Sequence, residues 1–153
     1  MPGIDECLTE AMTLPGARGA SLVDWTSGLA LGTAGESPVG DHETTAAETA
    51  ELARSAAEFD TFLATDDDAG GTGGAGGAGG AGGPGDDGRP EKAGGPPVED
   101  LIVTTRAGYH VLRFVETSFD SSVFLHLWLD RETGNLALAR MRLRDIAEKL
   151  VLG

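Results

Sequence analysis

"GASLVDWTSGLALGTAG", residues 19–35, is an apolar run, a small polar turn and a second apolar run made mostly of small residues. Ala20 to Asp24 reads as a strand, Trp25-Thr26-Ser27-Gly28 as a tight turn, and Leu29 to Gly32 as the return strand. Gly28 frees the turn to take a positive φ. Ala30 and Gly32 fall on one side of the pleat, which leaves room for another element to lie close against the hairpin.

Upstream, Ile4, Leu8, Ala11 and Met12 recur on one face of a short helix that Pro15-Gly16 stops. Cys7 lies beside that stripe among Asp5, Glu6 and Glu10, a setting that suits a packed, inert thiol rather than a nucleophile. Downstream, Asp41 caps a helix that the pattern carries from His42 to about Leu63. Ala46, Ala50, Ala53 and Ala57 form a narrow stripe on it, and Leu52, Ala56, Phe59 and Leu63 a second apolar strip beside the first. Together they exceed the ~100° that one contact needs, so the helix is expected to face either its own sheet and a partner, or one concave sheet surface.

Residues 65–97 read "TDDDAGGTGGAGGAGGAGGPGDDGRPEKAGGPP" and hold nothing to bury, which predicts a disordered glycine-rich insertion within a single domain spanning 1–153. Beyond it, "EDLIVTTRAGYHVLRFVE" reads as strand, turn and strand. "SSVFLHLWLD" is a nearly continuous apolar strand that belongs in the middle of a sheet. In "GNLALARMRLRDIAEKLVL" the first half alternates like a strand. Leu136, Ala139, Leu143, Ile146, Ala147 and Leu150 nevertheless share one helical face with Asn135 as cap, and the reading is a helix.

The formal charge of −14, from 25 acidic against 11 basic residues, opposes binding to nucleic acid or anionic membrane. No stretch approaches the ~20 apolar residues of a membrane span. The acidic start "MPGIDECLTEAM" lacks the order of a signal peptide, so a cytoplasmic location is expected.

Motifs for chemistry come close and fail. Gly71, Gly73 and Gly76 satisfy a dinucleotide fingerprint inside a repetitive tract, and neither Lys92 nor Lys149 closes a phosphate loop. Ala46 stands where "HETTA" would need a second histidine for zinc, and Gly77 where "DDDAGG" would need the bidentate glutamate for calcium. His110 and His126 lie on adjacent predicted strands with Asp130 and Glu116 further along; they are read as satisfied polar residues, with a metal or acid–base site as the alternative.

In the order helix, hairpin, long helix, three strands, helix, the chain resembles the roadblock (dynein light-chain roadblock domain) family, and its bacterial members most. The residues that carry the likeness are "PGARGASLVDWTSGLALGTAG" and the closing "GNLALARMRLRDIAEKL". The resemblance implies an α+β fold: a five-stranded antiparallel sheet with one long helix on one face and two on the other. It implies a homodimer through the long helix and the strand after it, here Ala46, Ala50, Ala53, Ala57, Leu101, Val103 and Thr105. It further implies a Ras-like small GTPase as partner, bound by a scaffold or activator that brings no catalytic residue and no cofactor of its own. The insertion departs from the family pattern by falling between the two dimer elements. The alternative is a chaperone-like protein-binding module without a GTPase partner.

Overall fold

The computed structural model describes residues 3–63, 98–115 and 122–152. The hairpin is longer than its apolar runs: β1 spans Ala17–Asp24 and β2 Leu29–Gly35. Its turn closes on Asp24, whose backbone oxygen accepts from Gly28 N at 2.8 Å and whose carboxylate accepts from Thr26 N at 2.9 Å. Gly28 takes φ 78°, where a side chain would be strained.

The pairing departs from simple alternation. Leu22 faces Gly32 while Val23 faces Ala30, so Leu31 is an extra residue and the strand bulges there. Ala30 and Gly32, expected on one side, are thereby sent to opposite faces. Ala30 packs into the core beneath α2 (His42–Glu58), and Gly32 faces α1 (Ile4–Met12), where an added Cβ would sit 2.7 Å from Ile4 Cγ2.

β3 (Asp100–Thr104), β4 (Gly108–Val115) and β5 (Val123–Asp130) complete one antiparallel sheet in the order β2-β1-β5-β4-β3. The most apolar strand is central as its sequence predicts, buried from Val123 through Leu129. Val123, Leu125, Leu127 and Leu129 point into one core with Cys7, Leu8 and Ala11 of α1. The closing helix α4 (Leu136–Leu152) completes that core through Ala139, Leu143 and Ile146, and Asn135 Oδ1 caps it by accepting from Leu138 N at 3.0 Å. Phe124 points the other way, toward α2 with Val23, Leu112 and Phe114. The result is α1 and α4 on one face of the sheet and α2 on the other.

The long helix ends earlier than its apolar pattern. Phe59 is extended at φ −71°, ψ 132°, and a single turn, α3 (Asp60–Leu63), follows. Asp60 and Thr61 are weak helix formers whose side chains compete for backbone partners, which favours a break over continuation. Leu63 therefore does not extend the strip of Leu52 and Ala56. The glycine-rich stretch expected to be disordered, and Glu116, lie outside the described residues.

Candidate interaction surface

Geometry makes the two faces of the sheet unequal. Five strands at ~4.8 Å spacing are about 19 Å wide, and a helix with its side chains is about 10 Å across, so two helices cover a face and one covers half. α1 lies over β1 and β2, and α4 over β4 and β5; on the other face α2 lies over β2 and β1. The half of that face toward β3 carries no helix among the described residues.

Ala46, Ala50 and Ala53 are at most 1 % exposed and pack on Val23, Leu112, Phe114 and Phe124. Of the two contacts open to the helix, the alanine stripe thus takes its own sheet, and the methyls of these three residues do not point outward. Ala57 is buried as well, nearer the helix end. What α2 and α3 turn outward is Leu52, Phe59 and Phe62, each roughly half exposed, with the two phenyl rings stacked at 6.3 Å.

β3 pairs with β4 alone and forms one edge of the sheet. Leu101 and Val103 stand opposite Leu112 and His110, on the α2 face; Leu101 packs partly into the core and Val103 is 38 % exposed. Thr105 lies just past the strand. Its Oγ1 accepts from Gly108 N at 3.0 Å and its carbonyl accepts from Arg131 Nη1 at 2.7 Å, which fixes the β3–β4 turn.

On the same face His110 and His126 meet diagonally across β4 and β5, Nδ1 to Nε2 at 3.0 Å with rings 6° from parallel. Trp128 lies parallel to His110, and the Arg18 guanidinium sits 4.0 Å from the Trp128 ring centre while pairing with Glu36 at 3.1 Å. Burial lowers the pKa of His110 and brings that of His126 down to about 3, so the pair is neutral at pH 7, one ring nitrogen donating to the other. Asp130 does not join them: its carboxylate accepts from Glu132 N, Thr133 N and Thr133 Oγ1 in the turn before α4. Among the described residues no group of three His, Cys, Asp or Glu gathers to hold a metal ion. Cys7 is enclosed beneath α1, and desolvation, with Glu10 second, raises its thiol pKa above the ordinary value. No helix of the described residues is long and apolar enough to cross a membrane.

Neither a scan against models of protein families nor a search of curated proteins returns a match. Solved structures do match. MglB of Myxococcus xanthus superposes with TM-score 0.66 at 16 % identity, over 97 % of this chain and 84 % of that one. A roadblock/LC7 domain from Streptomyces avermitilis matches with TM-score 0.57 at 16 % identity, over 97 % and 94 %. The fold is that of the roadblock/LC7 domain. MglC of Myxococcus xanthus adds a third likeness, TM-score 0.54 at 19 % identity, over 97 % of both chains. At these identities it is the roadblock architecture that is shared.

Two surface features escaped sequence reasoning. A groove of about 470 Å³ runs between the hairpin turn at Ser27–Ala30 and Glu43, Ala47 and Glu51 of α2. Another, of about 350 Å³, lies between β3 and α4 and is lined by Arg113, Arg140 and Arg144. The i, i+4 spacing of Arg140 and Arg144 was the available signal for the second.

Proposed function

We propose that this chain is a non-enzymatic, dimeric regulator or adaptor of a Ras-like small GTPase, acting in the cytoplasm. The observation that carries the reading is the roadblock architecture, shared with MglB and MglC over 97 % of the chain. The family resemblance of residues 15–35 and 134–150 supplies the class of partner.

The half-covered face supports the dimer. An open strand edge is a template for pairing, and Leu101, Val103 and Thr105 supply it on β3. A second copy laid along that edge would cover Val103 and His110 and reach the outward residues of α2 and α3. Leu52, Phe59 and Phe62 then serve that contact in place of Ala46, Ala50 and Ala53, which are given to the chain's own sheet, and of Ala57, which is buried. Regulation by binding alone, without a contributed catalytic residue, is consistent with a histidine pair held neutral and hydrogen-bonded within the sheet.

The test is an affinity capture from native cell lysate with the full chain, run once with GDP and once with a non-hydrolysable GTP analogue. A Ras-like GTPase enriched in one nucleotide state is the expected result. Nucleotide-insensitive capture of unfolded clients, with no GTPase in either arm, would replace this reading with the chaperone-like one.

A further inference from the structure

The groove between β3 and α4 differs electrostatically from the rest of the molecule. In a chain with a formal charge of −14, Arg113 from β4 and Arg140 and Arg144 from α4 converge on it. Arg140 Nε lies 3.1 Å and Arg113 Nη1 3.8 Å from the same oxygen of Asp100, Oδ2. Two guanidiniums therefore share one carboxylate. Arg113 Nε is buried with no acceptor, and Arg144 is exposed with no ion pair among the described residues. Glu99 on the rim is the second acidic residue of the lining, which leaves the groove an excess of positive charge. Ala137 and Met141 add an apolar floor, and Met141 is 55 % exposed.

We propose that this groove binds an acidic segment of a partner protein, with carboxylates on Arg144 and Arg140 and an apolar side chain against Met141. Guanidinium forks match carboxylates bidentately, and arginine and methionine are both enriched at protein interfaces. The apolar floor distinguishes this occupant from a small free anion, which would have no use for it. The net charge of the chain opposes a long polyanion such as nucleic acid, whereas a short acidic segment meets chiefly the local field, because distant charges are screened within ~8 Å at physiological salt. The inference stands apart from the GTPase reading, since it concerns the two-helix side of the β3 edge.

The probe is a short peptide alternating glutamate and leucine, titrated into the full chain at physiological ionic strength. The arginine Nε–H resonances are followed by NMR, with a lysine–leucine peptide as control. The acidic peptide is expected to shift Arg140 and Arg144, and the basic one to leave them in place. Arg144→Glu is expected to weaken binding by about tenfold or more, while Arg142→Glu, the same charge change on α4 outside the groove lining, leaves it nearly unchanged. Equal weakening by the two variants would reduce the effect to bulk charge and overturn the site. So would the absence of any shift with the acidic peptide, or its full displacement by millimolar inorganic phosphate.

Discussion

Among the described residues, one face of the sheet lies under α1 and α4, the other under α2 alone. On the first, large side chains from strands and helices interlock: Leu8, Leu22, Leu125, Leu127, Leu143 and Ile146 are all essentially inaccessible. On the second, the helix contributes alanines, which bring it close to β1 and β2 but make it a narrow cover. The aromatic residues of the sheet fill part of the remainder, and Val103 at the β3 edge stays exposed. A sheet of this width takes two helices per face, and among the described residues the α2 side carries one, so half of that face is open. Interlocking of large side chains is thus concentrated on one side of the sheet, and the half without a helix lies on the other.

The largest effects should come from breaking the covering on either side. Ala53→Arg places an unpaired charge where 0 % of the residue is exposed, at a cost of roughly 3 kcal/mol or more, and is expected to unfold the chain in a urea titration. Leu143→Ala on the two-helix face should lose about 2–5 kcal/mol while leaving a folded protein, measured the same way. If Leu143→Ala were nearly neutral, the side chains of the two-helix side would not be interlocked.

The buried histidine pair predicts a pH dependence of intermediate size. The pKa of His126 is lowered from 6.5 in the unfolded chain to about 3 in the fold, so below pH 6.5 the unfolded state takes up the proton that the native state refuses. Its contribution is intact above pH 6.5 and falls as pH drops toward 3. Between pH 7 and 5 the loss should be about 2 kcal/mol in urea-unfolding free energy. A flat profile over that interval would mean that His126 is not held neutral. The smallest effect belongs to the surface. Lys149 pairs with Glu10 across α4 and α1 at 2.9 Å, both groups being a third or more exposed, and Lys149→Ala should change the unfolding free energy by under about 0.5 kcal/mol.

The legibility of these features in sequence follows their range. The hairpin, α1, the central strand and α4 were readable because their periods and caps are local: Gly28 in the turn, Asn135 before Leu136, six apolar or aromatic positions bracketing one histidine in β5. The bulge at Leu31 was not, since it exists only in the pairing of β2 with β1. The stop at Phe59 overrode an apolar strip that continued on paper to Leu63. Periodicity showed that α2 had more apolar surface than one contact needs, but not which strip met the sheet, because alanine and leucine strips look alike until something packs on them. The histidine pairing was foreseen from strand order, while its diagonal register and the engagement of Asp130 in a turn were not. The arginine groove joins β3, β4 and α4, and no single window of sequence contains it.

The proposal that a second copy covers the open half of the α2 face is tested most directly by the solution mass of the full chain, measured by light scattering after size exclusion, alongside Val103→Asp. The account predicts twice the 15.6 kDa chain mass for the natural sequence. It predicts the single mass for Val103→Asp, with unchanged circular dichroism and urea midpoint extrapolated to the monomer. A natural chain that runs as a monomer at micromolar concentration, or a dimer that Val103→Asp leaves intact, would contradict it.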